Sequence, residues 1–176
     1  KEFLDKVGRD KACLIMHTDV KDPHGQDLEA IIRELGIDKG EVMFSEKKLP
    51  QEHLAKIFNA ADCTINISDA EGFGLATLES MACGTPIVVN MTGGLQEQVT
   101  DGKEWFGIGI EPKAKAVIGS QEIPYIHEDR IIKEDFIDAL TKIYEMSREK
   151  IIDDAIEKYG SWDTRKHYKH WTIKEI

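Results

Sequence analysis

Two glutamates with seven residues between them, Glu71 and Glu79, bracket a glycine turn in the stretch SDAEGFGLATLESMACGTPIVV, residues 68–89. The apolar run before it ends in Asn66, Ile67 and Ser68 and reads as a buried strand. From Leu75 onward the spacing of Leu75, Leu78 and Ala82 predicts a helix. Gly72 and Gly74 lie between the two elements. A strand, a glycine turn and a helix start leave several backbone N–H groups unpaired on one side, backed by the positive end of the helix dipole. Such a turn holds phosphate or another anion. Carboxylates only accept hydrogen bonds, so Glu71 and Glu79 suit the hydroxyls of a sugar or ribose rather than the phosphate. The combination fits a nucleotide-sugar. Either glutamate alone is explained as well by structure, since acidic residues favour helix starts. With both glycines the functional reading is preferred, because glycine suits a helix start poorly unless backbone must approach something.

The elements around this stretch must position it. Residues 2–7 (EFLDKV) read as the end of a helix. Lys11 to His17 reads as a buried strand and Asp27 to Leu35 as a helix with Leu28, Ile31, Ile32 and Leu35 on one face and a cap at Asp27 or just before it. Glu41 to Ser45 is a second strand, Pro50 to Ala61 a helix with Leu54, Ile57 and Phe58 apolar, and Cys63 to Ile67 the third strand. Pro86 to Asn90 is a fourth strand, followed by a turn at Gly93 and Gly94 and a short helix from Leu95 to Val99. Strands alternating with helices predict an α/β class, a Rossmann-like domain whose parallel sheet is flanked by helices. Residues 102–129 break into short apolar pieces (WFGIGI, AVIG, IPYI) that carry no clear periodicity. Lys133 to Met146 is an amphipathic helix through Phe136, Ile137, Leu140, Ile143 and Tyr144. A further helix is expected from Arg148 to Tyr159, and a tail helix within 160–176 carrying Trp162, Tyr168 and Trp171.

The bulk composition narrows the partners. At 176 residues the chain is expected to form one domain, and the opening Lys1 reads as an amino-terminally truncated piece. A net charge of −10 argues against a nucleic-acid or anionic-membrane surface, which needs clustered Lys and Arg. No run approaches the ~20 apolar residues of a membrane span. Cys13, Cys63 and Cys83 lack metal-type spacing and sit in apolar contexts, which predicts buried, reduced thiols and a cytoplasmic location. Between Lys56 and Lys103 there is no basic side chain. An anion held there relies on backbone amides or on cations from elsewhere.

Other chemistries fit less well. Gly72, Phe73, Gly74, Leu75, Ala76, Thr77 nearly matches a dinucleotide fingerprint, but Thr77 stands where the third glycine belongs and no acidic residue follows near Thr92. No Walker-type GK[ST] occurs, and neither Ser68 nor Ser80 has a nucleophile-elbow pattern. His17, Asp19, Asp22 and His24 in HTDVKDPHGQ are better read as turn residues than as metal ligands. Asp69 and Glu71 form a D-x-E that could hold a divalent ion, a weak signal in a strand-end loop. No metal and no cofactor are expected. Lys47 and Lys48, in the loop after the second strand, read first as a solvated charge pair.

The motifs EGFGLATLE (71–79), MACGTPIVV and GGLQEQVTDG (93–102), preceded by NAADCTINIS and EVMFSE, resemble the carboxyl-terminal, donor-binding half of GT-B fold glycosyltransferases, especially the retaining group called family 4. The resemblance spans Lys11 to Gly102 and is most specific in its central third. It implies a sugar transferase of the hexosyltransferase type that uses a nucleoside-diphosphate sugar as substrate and retains configuration. Position by position, it implies that Glu79 holds the donor ribose and that Glu71, the catalytic candidate, faces the donor sugar. The amides of Phe73, Gly74 and Leu75, with Gly72 beside them, would meet sugar hydroxyls or the diphosphate, and the loop from Ser45 through Lys47 would border the base. An acceptor sugar or glycan would be held by an amino-terminal half, on which the 160–176 tail would pack. The family's basic pair is expected upstream of Lys1, and where the family has a glycine after the strand this chain has His17, Thr18 and Asp19. The segment alone is therefore expected to be inactive. A non-catalytic nucleotide-sugar-binding module and a GT-B-like nucleotide-sugar epimerase remain alternatives.

Overall fold

A computed structural model describes residues 1–146, and the chain divides into two compact units, Lys1–Pro50 and Gln51 onward. In the first unit, helix α1 (Glu2–Val7) precedes strand β1 (Leu14–His17), helix α2 (Leu28–Leu35) and strand β2 (Val42–Ser45). β1 and β2 pair in parallel, with Leu14 opposite Val42 and His17 opposite Ser45. Asp27 caps α2 by accepting from the Ala30 N–H at 2.9 Å, and Gly36 and Ile37 close its other end on the carbonyls of Arg33 and Ile32. Arg9 joins the elements: its guanidinium bonds Asp5 and the Gly36 carbonyl and lies 3.7 Å from Glu41. The buried Glu41 carboxyl is held below the ordinary carboxylate range, chiefly by backbone N–H donors, among them that of Lys39 at 2.8 Å.

The second unit contains α3 (Gln51–Ala60), β3 (Thr64–Asn66), α4 (Leu75–Ala82), β4 (Ile87–Asn90), α5 (Leu95–Val99), β5 (Gly107–Ile110), β6 (Ala114–Ile118), β7 (Ile126–Arg130) and α6 (Lys133–Glu145). Its parallel sheet has the order β3-β4-β5. Every residue of β4 is buried, because strand alternation feeds two cores. Ile87 and Val89 pack with Leu95 and Val99 on one side, and Val88 packs with Ile110, Ala139 and Ile143 on the other. Strand–helix alternation with parallel pairing is the expected Rossmann-like α/β arrangement.

Three expectations need correction. The unplaced pieces within 102–129 supply β5 and an antiparallel hairpin, β6–β7, with Ala114 opposite Arg130. Hairpin strands that are largely exposed on both faces, with Lys, Glu, His and Arg among their residues, do not give the apolar run by which the buried strands announce themselves. Second, α4 is a helix, but its apolar stripe is not its buried face. Leu75 and Leu78 are 67 % and 42 % exposed, Ala82 is exposed too, and Thr77 and Ser80 are buried instead. Both hydroxyls have polar partners beneath the helix, Ser80 with Thr64 Oγ1 at 2.8 Å and with the Thr85 carbonyl, which makes the polar face the one that can be buried. Third, Cys13 is exposed, whereas Cys63 and Cys83 are partly buried, and none of the three forms a disulfide. On α6, Tyr144 likewise lies outward. The helices expected beyond residue 147 lie outside the described residues, and among the described residues no helix is long and apolar enough to cross a membrane.

Two measurements check this packing. Leu95→Ala, at a fully buried position, is expected to lose about 2–5 kcal/mol in urea denaturation, while Leu75→Ala stays within about 0.5 kcal/mol. Burial, reinforced by the charge of Asp62, pushes the Cys63 thiol up to about 11. At pH 8 roughly one Cys63 in a thousand is then thiolate, so iodoacetamide followed by peptide mass spectrometry should label Cys13 well before Cys63.

Candidate functional site

The loop from Ser68 to Gly74 connects β3 to α4 at the carboxyl end of the parallel sheet, the edge where such sheets bind ligands. Its carbonyls are braced from below. Asn90 Nδ2 donates to the Ser68 carbonyl at 2.9 Å, and the Asp129 N–H donates to that of Asp69 at 2.7 Å. Gln98 Nε2 donates to the carbonyls of Phe73 and Gly74. Thr77 Oγ1 lies 2.7 Å from the Gly74 carbonyl and 2.6 Å from Gln98 Oε1, and its single proton serves one of these at a time. Among the described residues, the N–H groups of Gly72 through Ala76 meet no protein acceptor. The carbonyls of Ser68, Asp69, Phe73 and Gly74 are engaged by the protein and the amides of 72–76 are left for something else, which is the arrangement an anion or a set of hydroxyl oxygens requires.

Glycines make this close packing possible. Gly74, the residue before α4, has φ 86°, and a Cβ there would stand 2.6 Å from Leu95 Cδ2. Gly93 has φ 48°, and a Cβ on it would sit 1.7 Å from the Glu71 carbonyl oxygen. One on Gly94 would sit 2.8 Å from that of Gly72. The turn at Gly93 and Gly94 is thus the floor on which the Glu71–Phe73 backbone rests. Gly72 differs: its φ is not positive and a Cβ there would meet nothing within 4 Å. Nothing inside the folded chain demands a glycine at 72.

Of the residues singled out from sequence, Glu71, Gly72, Phe73, Gly74, Leu75 and Glu79 come together on this loop and the first two turns of α4. Glu71 is half-buried, with Asn66 Nδ2 at 3.4 Å from its Oε2, and Glu79 is exposed on the helix. Ser45 and Lys47 belong to the first unit. Ser45 ends β2, half-buried, with its Oγ 2.9 Å from His17 Nδ1, and Lys47 is exposed in the loop that follows. Asp19 and Asp22 are engaged in turns, accepting from the N–H groups of Lys21 and His24. Among the described residues, no three His, Cys, Asp or Glu side chains gather as metal ligands would.

Several supporting residues gave no sequence signal. Thr77, read only as the failure of a dinucleotide fingerprint, is a fully buried clamp on the turn. Gln98 sits on a short helix far along the chain, Asn90 ends a plain apolar strand and Thr92 follows it. Thr92 Oγ1 donates to Asp129 Oδ2 at 2.9 Å, so the β7 strand is tied to the floor of the loop. The basic gap from Lys56 to Lys103 is partly filled in space, because Arg130 approaches Asp69 to 3.9 Å. That guanidinium is bound mainly by Glu128, whose hydrogen bond and charge raise its pKa further.

Residues 21–143 match the family described as glycosyl transferases group 1. The chain belongs to this family. Curated relatives include the D-inositol 3-phosphate glycosyltransferase of Corynebacterium urealyticum, 42 % identical over 90 residues that cover 51 % of this chain and 21 % of that protein. The enzyme of the same name from Thermomonospora curvata is 42 % identical over 94 residues, covering 53 % of this chain and 21 % of the relative. The chain therefore spans about a fifth of the length of these relatives. Among solved structures, sucrose-phosphate synthase from Thermosynechococcus elongatus superimposes with a TM-score of 0.50 at 21 % identity, covering 95 % of this chain and 42 % of that one. This likeness bears on the fold alone and agrees with a Rossmann-like α/β domain.

The two glycine positions separate scaffold from site. Gly93→Ala, which combines a clash with positive φ, is expected to destabilise the group 1 domain by at least about 2 kcal/mol, whereas Gly72→Ala changes stability by no more than about 0.5 kcal/mol. Thermal and urea unfolding of the two variants provide the check.

Proposed function

We propose that this chain is the donor-binding, carboxyl-terminal half of a retaining glycosyltransferase, and that its substrate is a nucleoside-diphosphate sugar. The observation that carries the reading is the row of unpaired amides from Gly72 to Ala76, flanked by the carboxylates of Glu71 and Glu79 on a scaffold that belongs to the group 1 family. In this reading Glu79 accepts hydrogen bonds from the ribose hydroxyls. Glu71, the catalytic candidate, accepts from the transferred sugar and orients it. The amides of Phe73, Gly74 and Leu75 donate to sugar oxygens or to the diphosphate, whose negative charge grows as the bond to the sugar breaks. Preorganised N–H dipoles need no reorganisation at that moment, which is why the bracing of the carbonyls matters for rate as well as for structure. No resident cofactor takes part, and the domain works in the cytoplasm. The acceptor sugar or glycan is held by an amino-terminal half, which also brings the cations that this loop lacks.

Calorimetric titration of the full-length protein with UDP-, GDP- and ADP-sugars tests the reading. One of them should bind, and Glu79→Ala should weaken it by about 1.5–3 kcal/mol, or roughly 10- to 150-fold. Gly72→Ala, although stable, should also bind more weakly, because its methyl group occupies the space the ligand needs. A full-length protein that binds none of these nucleotides, or a Glu79→Ala variant that binds as tightly as wild type, would overturn the assignment.

A further inference from the structure

Two asparagines on neighbouring strands take hold of one residue of the loop. In the β3–β4 register Asn66 lies opposite Val89, so Asn90 is the next residue along at the same end of the sheet. Asn66 Oδ1 accepts from the Ser68 N–H at 3.1 Å, and Asn90 Nδ2 donates to the Ser68 carbonyl at 2.9 Å. Both backbone polar groups of Ser68 are thereby fixed, three residues before Glu71. Asn66 acts a second time, since its Nδ2 lies 3.4 Å from Glu71 Oε2, and among the described residues it is the hydrogen-bond partner of that carboxylate.

Asn90 shows what the pair is for. Its side chain is fully buried, its Nδ2 reaches the Asp129 carbonyl as well as that of Ser68, and its Oδ1 has no partner. Turning the amide over would set Oδ1 against two carbonyl oxygens, so the orientation is determined. A buried acceptor without a donor is unfavourable, and an apolar side chain would avoid it. The value of an amide here lies in its two N–H bonds, which tie the Ser68 segment to β7 across the end of β4.

Gly93 and Gly94 set where the Glu71 backbone rests, but a backbone contact leaves the side-chain direction open. The geometry points to Asn66 and Asn90 as positioning residues that fix the Ser68–Glu71 segment and aim the Glu71 carboxylate at the donor sugar. This rests on the reading of Glu71 as the group that meets that sugar. The consequence is specific: the pair governs how the sugar contributes to binding, not how the nucleotide does.

The experiment compares the affinity of the full-length protein for a nucleoside-diphosphate sugar and for the matching free diphosphate, in wild type, Asn66→Leu, Asn90→Ala, Glu71→Gln and the double variant Asn66→Leu with Glu71→Gln. Both asparagine variants should leave the diphosphate affinity within about twofold and lower the sugar-to-diphosphate affinity ratio roughly tenfold. The double variant should lose no more of that ratio than Glu71→Gln alone, as expected when one residue acts through the other. Equal weakening of both ligands, an unchanged ratio or additive losses would overturn the proposal. Failure of the donor reading looks different, because wild type itself would then bind neither ligand. A measurement without ligand stands apart from it: amide hydrogen exchange at Ser68 should speed up in Asn66→Leu and stay slow in Asn66→Asp, which keeps the acceptor. Unchanged exchange in Asn66→Leu would overturn the tether itself. If Asn90→Ala does not fold, the Asn66 variants decide the matter.

Discussion

Backbone lies directly on backbone where the turn at Gly93 and Gly94 supports residues 71–73, and the rest of the site follows from that contact. No side chain fits between the two turns: the oxygen of Glu71 is 1.7 Å from where a Cβ of residue 93 would be. On either side of that contact the loop's carbonyls at Ser68, Asp69, Phe73 and Gly74 find donors within the protein, from Asn90, Asp129 and Gln98. The loop's amides are left on the other side, at the start of α4. The chemistry available to the loop is thus set by a packing constraint on its opposite face.

The division of labour between apolar and polar burial is unusually clear. Stability comes from β4, whose alternating residues enter two hydrophobic cores, each large aliphatic side chain contributing about 1.5–3 kcal/mol on burial. Geometry comes from buried polar groups under the loop: Thr77, Asn90, Thr92 and Gln98. A hydrogen bond between such groups adds only about 1 kcal/mol net, but leaving one unmade costs more, so these side chains hold the loop in one arrangement without adding much to stability. The orphaned oxygen of Asn90 is a cost accepted within that network.

The electrostatics are consistent with a site that orients more than it neutralises. The loop is acidic, and the cation that tertiary structure brings near it, Arg130, is bound by Glu128 and faces Asp69. Fixed amide dipoles are then the positive groups that the loop itself supplies. Dipoles aimed by a rigid scaffold favour charge that develops in one place, and they ask little of the surrounding side chains.

Much of the arrangement was legible in the chain itself. The strand–turn–helix around Gly72 and Gly74, the parallel alternation and the Asp27 cap all follow from local periodicity and from residue types with strong backbone preferences. What the sequence could not rank was which face of α4 is buried, because Leu75 and Leu78 outweigh Thr77 and Ser80 in any hydrophobic count. The outcome turned on partners remote in sequence, Thr64 and Gln98, that accept or share the buried hydroxyls. The β6–β7 hairpin was hidden for a different reason, since its strands are largely exposed and β7 is rich in charge, which leaves little burial pattern to read. Gly93 and Gly94 were visible as a turn, but their purpose was not. A glycine serves by the atom it lacks, and only the folded chain shows what stands where that atom would be.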